Sequence, residues 1–219
     1  MGKGIIFVDF LVEIEKAKEL KTLALSFEGI FMAKLMHARD IVVDERVRFQ
    51  CSYSGCRDYG RRLMCPPHTP SVDDFKKVLA GYYMALLIQL TGTIKNKENW
   101  EPETDQLALL LHDIIYKLEK KAFSLGFPFA AGLIGGSCKL CRECPGEKDS
   151  NARCLHPEKA RPSMEAMGID VLSMCKKAGM EVTFSSDKVI WTGMVLLSVI
   201  GGLLTGQGGP VAVAAMEGA

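Results

Sequence analysis

The chain has no surplus charge. Its 27 lysines and arginines face 26 aspartates and glutamates, a formal net charge of +1. No bulk field drives it toward nucleic acid or an anionic membrane surface. It has no G-x-x-x-x-G-K-S/T loop and no G-x-G-x-x-G after a strand, so nucleotide phosphates have no ready cradle. "GLIGGS" at 132–137 is rich in glycine but lacks a phosphate fingerprint. A G-x-S-x-G elbow is missing, and so is the C-x3-C-x2-C spacing of radical-SAM enzymes. There is no internal repeat and no low-complexity linker. The apolar start, "MGKGIIFVDFLVEIEKAKEL", is too short for a leader's core and runs into charged, helix-like sequence. Met-Gly opens the chain, yet Ile6 stands where a myristoylation signal needs Ser or Thr. Cytoplasmic location is therefore the expectation. The uncharged run "VIWTGMVLLSVIGGLL" (189–204) falls short of the roughly 20 residues of a membrane span. It reads as one buried strand or two.

What is abundant is cysteine, eight residues in 219. Disulfides are rare in the cytoplasm, so this many thiols points to metal or redox chemistry. An apolar fraction of 48% is enough for a sizeable core.

Periodicity predicts an N-terminal helix over 9–27, with Phe10, Ile14, Ala17, Leu20, Ala24 and Phe27 on one side and Asp9 as its cap. "ERVRFQCSY" (45–53) reads as a strand. Ser71 caps a helix that Gly81 ends, and 82–90 is a strand. Residues 103–125 form the clearest helix, with Leu107, Leu111, Ile114, Leu118, Ala122 and Leu125 in one stripe. "FPFAAGLIGG", "EVTF" and "KVIWTGMVLLSVI" read as strands. Pro162 suits the first turn of a short helix, and Asp170 caps another. The expected class is α/β, a mixed sheet flanked by helices, with two cysteine-rich metal-binding loops. Residues 1–205 form one domain with an N-terminal helix, and 206–219 a glycine-rich tail. Each cysteine loop should follow a strand. Parallel neighbouring strands would bring the loops together at their carboxyl ends.

The second loop reads Cys138-x2-Cys141-x2-Cys144-x9-Cys154. Three thiols at successive x2 spacing can wrap three corners of a 4Fe-4S cubane, with a fourth arriving from further along. Zinc is the alternative, although its structural sites more often use two C-x2-C knuckles. The first loop reads Cys51-x4-Cys56-x8-Cys65-Pro66-Pro67. Its fourth ligand could be His68, Cys175, solvent or a substrate, or the loops could exchange ligands between two clusters. Cys175 otherwise reads as a buried hydrophobe. His156 could donate to a cluster sulfur, while His37 and His112 read as structural. Arg57, Arg61, Arg62, Lys139, Arg142, Arg153, Lys159 and Arg161 crowd the loops. They could balance an anionic cluster, dock an acidic carrier, or form a solvated surface.

The patterns C-x4-C-x2-YG-x4-CPP-x2-P (51–70) and GGSCKLC-x2-C…C-x-HP-x3-RPSMEAMGIDV (135–171) resemble a family of predicted metal-binding proteins, domain of unknown function 2284. The resemblance covers about residues 30–200. It implies Cys51, Cys56, Cys65, Cys138, Cys141, Cys144 and Cys154 as the metal-binding set and brings no reaction with it.

The leading expectation is an iron–sulfur protein with one or two 4Fe-4S clusters that exchanges electrons with a partner protein, suited to an anaerobe. Alternatives are an enzyme with an open iron near His68, Asp58 and Tyr59, a zinc-stabilised interaction module, or a metallochaperone or sensor.

Overall fold

A computed structural model describes residues 2–183, 185 and 187–198, with 2–10 described by backbone alone. Five helices and a four-stranded sheet make up the architecture. The helices are α1 (Gly2–Leu25), α2 (Glu45–Tyr53), α3 (Val72–Leu79), α4 (Glu101–Ser124) and α5 (Val171–Lys177). The strands are β1 (Ile30–His37), β2 (Met84–Thr93), β3 (Ala131–Leu133) and β4 (Lys188–Leu197), in spatial order β1-β2-β4-β3. Every pairing between these strands is antiparallel. The expected mixed sheet is thus corrected, and so is the picture of loops meeting at parallel carboxyl ends.

β2 lies inside the sheet and is buried from Met84 to Leu90. Its side chains alternate between faces. Met84, Leu86, Ile88 and Leu90 join Ile14, Leu20, Leu111 and Leu118 in a core beneath α1 and α4. Ala85 and Leu87 join Phe75, Leu133, Met164, Ile169 and Met174 in a second core under α3 and α5. Burying each such large apolar side chain is worth about 1.5–3 kcal/mol. α4 comes very close to the sheet at two glycines. A Cβ at Gly132 would sit 2.6 Å from Ile115, and one at Gly193 would sit 2.9 Å from it.

Several sequence expectations hold. Ser71 caps α3 by accepting from the Asp74 N–H, and Asp170 caps α5 by accepting from the Ser173 N–H. The expected stripe of α4 faces the core, with Leu107 and Leu125 at its margin. Other expectations fail for physical reasons. Residues 45–53 are helical because the Asp44 side chain accepts from the Arg46 N–H and starts a helix with no buried residue. The alternation of Val47, Phe49 and Cys51 with polar residues imitates a strand without burying a face. Asp9 lies inside α1 and does not cap it. In "FPFAAGLIGG" only Ala131–Leu133 pair. Residues 181–183 are not strand, and Phe184 lies outside the described residues. The short helix expected near Pro162 is one 3-10 turn, Glu165–Met167. β1 lies where the sequence patterns predict no element, and its register shifts between Ile30 and Met32. Strand β4 from residue 189 onward accounts for most of the described part of the uncharged run, and the run's end beyond 198, like the expected tail, lies outside the described residues. Among the described residues no helix is long and apolar enough to cross a membrane.

Gly168 ends the 3-10 turn with φ +83°, and its carbonyl accepts from the Asp44 N–H that leads into α2. A Cβ there would also meet Val72 at 2.7 Å. Gly168→Ala should lower stability by at least about 1–2 kcal/mol, the cost of a left-handed side-chain-bearing residue, read as a shift of the urea midpoint.

His112, buried in α4, engages the Lys159 carbonyl through Nε2 at 2.9 Å, a structural role as expected. Burial holds its pKa below the usual 6.5. The unfolded chain therefore takes up the proton first. The stability His112 contributes is present above about pH 6.5 and is lost as pH falls toward its lower folded pKa, by up to about 1.4 kcal/mol per pH unit. His112→Gln should flatten the fall in unfolding free energy between neutral and mildly acidic pH. An unchanged slope would exclude this imidazole as its source.

Candidate metal centre

The fold sorts seven of the eight cysteines into two groups. Cys51 lies in the last turn of α2, and Cys56 and Cys65 lie on the loop that follows. All three line one pocket of about 350 Å³, which the α4 start, Ser137, Glu165 and Trp191 also line. Cys138, Cys141, Cys144 and Cys154 line a second, tighter cleft of about 20 Å³ beside Arg62 and His156. Within each group the thiols are near enough to disfavour one another's ionisation. All eight cysteines are free thiols. Among the described residues, no three Cys, His, Asp or Glu side chains converge closely enough to hold an ion.

The loops meet through ion pairs. Arg62 donates to Asp58 at 2.9 Å and to the Cys141 carbonyl, so it ties the first loop to the second. Arg61 reaches Glu147 at 2.8 Å. Glu147 in turn accepts from the Cys144 N–H, which fixes that corner of the cysteine loop. The second loop is also anchored from behind. Ile134 donates to the Pro162 carbonyl and accepts from the Met164 N–H, so Gly135 and Gly136 lie alongside Ser163 and Glu165. Glycine is required there, because a Cβ at Gly135 would sit 2.7 Å from the Thr192 carbonyl.

The crowded cations are mostly committed. Arg57, Arg61, Arg62, Lys139, Lys159 and Arg161 each have a carboxylate partner. Arg62 alone among them acts electrostatically on thiols of both groups.

Neither suggested fourth ligand stands with the three cysteines. His68 turns its ring to the Gly60 carbonyl at 3.3 Å. Cys175 is buried in the second core near Gln89 and Thr192. His156 joins the other group, where its backbone N–H approaches Cys154 Sγ at 3.4 Å. His37 packs edge-on against Tyr83.

Burial pushes the Cys51, Cys138 and Cys141 thiols up, and pushes Cys65 to about 12, with Asp58 and the neighbouring thiols adding to it. Such sulfurs are thiols until a cation compensates their charge. The donor set suits soft or borderline metals, which prefer thiolate. Of the acid–base candidates in the sequence, Asp58 and Tyr59 line the three-cysteine pocket. Burial opposes ionisation of Asp58, but hydrogen bonds from Ser137 and Arg62 outweigh it and hold its carboxyl below the usual range.

Sequence reasoning missed Glu165. It stands in the pocket wall, its carboxyl is pushed up by burial, and its Oε2 is buried without a hydrogen-bond partner. The only signal was an acidic residue within the apolar "SMEAMGI" segment, which spacing rules do not single out.

No curated protein and no solved structure gives a significant match to the chain. A family model described as predicted metal-binding protein matches residues 34–197, which include both cysteine groups and the segment that carries Glu165. The chain belongs to that family, domain of unknown function 2284.

Proposed function

We propose that this chain is an iron–sulfur protein that moves electrons to or from a partner protein. Cys138, Cys141, Cys144 and Cys154 would hold one 4Fe-4S cluster, and Cys51, Cys56 and Cys65 a second. The observation that carries this reading is the division of the seven thiols into two pockets linked by Arg62. Two neighbouring thiol-rich sites suit electron passage better than a single structural ion does. An anionic thiolate cluster is stabilised by a nearby guanidinium, and Arg62 occupies that position.

A specific observation favours a second reading for the four-cysteine group. Its cleft, about 20 Å³, has room for one ion, which fits a tetrahedral zinc of four thiolates. The three-cysteine pocket is roomier and lacks a fourth protein thiol, so a metal there would keep a position for solvent or substrate. That is the basis for an enzyme reading of the same site, with the metal as Lewis acid.

Protein purified without oxygen should be brown and contain iron and sulfide in near-equal amounts. Colourless protein with stoichiometric zinc and no sulfide would overturn the iron–sulfur reading. Cys141→Ser and Cys56→Ser should each remove about half of the bound metal. Loss of all of it from either variant would mean that the two groups share one centre.

Arg62 and Asp58 each expose only 16% of their side chains. Arg62→Met should destabilise the protein by on the order of 3 kcal/mol, because it leaves the Asp58 charge unpaired. The double variant Arg62→Met/Asp58→Asn should recover part of that loss in chemical denaturation. Additive losses would show that the pair is not coupled.

A further inference from the structure

A third cavity, of about 650 Å³, opens between the start of α2, the first turn of α5 and β4. Its volume falls within the range of small-molecule sites. Val47, Ile169, Leu172 and Ile190 give it an apolar lining, and Trp191 and Glu165 form the wall that it shares with the three-cysteine pocket. The carboxylates at its border are committed, with one exception. Asp44 holds Arg46, Asp170 caps α5, and Glu181 pairs with Lys188. Arg46, the cation on this wall, is engaged with Asp44 and points into solvent with 88% of its side chain exposed. Glu165 takes hydrogen bonds from the Ser163 side chain and the Gly136 N–H, and its Oε2 is buried and has no partner.

An unpaired carboxylate oxygen in apolar surroundings is costly, and it is relieved by a donor, best by a charged one. Asp44 and Glu181 on the rim are paired with Arg46 and Lys188, which leaves Glu165 to select the charge of a ligand. We propose that this cavity binds a small organic amine, with its apolar body against Val47, Ile169 and Ile190 and its ammonium group donating to Glu165 Oε2. The site does not depend on which metal the thiols hold. An amine seated here lies against the wall of the three-cysteine pocket.

The test uses the full-length chain carrying Trp100→Phe, which removes the exposed indole and leaves Trp191 as the reporter. Phenylethylamine, phenylethanol and phenylpropionate are titrated at neutral pH, followed by Trp191 emission and by calorimetry. The amine should give a saturable change. The alcohol should bind at least about tenfold more weakly, as should the amine to Glu165→Gln, as expected for loss of a charge-assisted hydrogen bond. Phenylpropionate should not bind. Leu172, about half exposed at the rim, gives a second variant that leaves Glu165 untouched. Leu172→Arg places a competing cation there and should also weaken the amine at least about tenfold, and it decides the matter if Glu165→Gln does not fold. No saturable response to the amine, equal affinity in the folded variants, or equal binding of phenylpropionate would each overturn the proposal. Metal content measured on the same samples is read separately, so failure of the iron–sulfur reading leaves this result standing.

Discussion

The burial of β2 on both faces is the constraint on which the rest of the molecule depends. A one-residue slip moves all of a strand's side chains to the opposite face, so register is strongly specified wherever a face is buried. In a strand that feeds two cores with alternate residues, the shift would exchange the sets assigned to each. β4 is held against β2 in that register, with Leu90 opposite Trp191 and Gln89 opposite Thr192. The register therefore decides which β4 residues reach the cavities. Trp191 is fixed further by its indole N–H, which donates to the Thr104 carbonyl of α4. Core packing and site geometry are one problem here, solved by one strand pairing.

The thiol loops are held by other means. They contribute little to either core, and they are joined to each other and to α4 by ion pairs and backbone hydrogen bonds. Most such pairs at a surface are worth less than about 1 kcal/mol each. The half-buried Arg62–Asp58 and Arg161–Glu119 pairs are the firmer ones. This differs from a zinc finger, in which metal binding and folding are the same event. This chain has two hydrophobic cores of its own, built without residues of the four-cysteine cleft beyond the margin contact of Cys138. A metal would gather the loops, and its charge would offset the cost of bringing several buried sulfurs together as thiolates.

Legibility in the sequence followed the strength of local signals. α3, α4 and α5 were readable because periodicity and caps agreed, as at Ser71 and Asp170. β2 was readable as an apolar run of strand length. The two cysteine groups were readable by spacing alone, and the fold keeps each group together. α2 was not, because polar and apolar residues alternate through 45–53 and only the Asp44 cap marks a helix. β1 was not readable because "IFMAKLMH" carries no regular alternation of polar and apolar residues. The antiparallel order could not be read, since strand direction is set by connections and tertiary packing. Glu165 was hidden for another reason: its significance lies in lacking a partner, and only three-dimensional placement reveals that.

The segment from Arg161 to Asp170 makes this point residue by residue. Arg161 pairs with Glu119, the Pro162 carbonyl accepts from Ile134, and Ser163 Oγ accepts from the Ala166 N–H. Met164, Met167 and Ile169 fill the second core, Gly168 makes the left-handed turn, and Asp170 caps α5. Glu165 neither fills a core nor caps a helix, and it carries the cost of a buried, unpartnered oxygen. An apolar residue of similar size would remove that cost together with the hydrogen bonds that the carboxyl takes from Ser163 and Gly136. On the amine-binding proposal, this carboxyl is the group that meets the ligand, and it stands between the three-cysteine pocket and the apolar cavity that adjoins it.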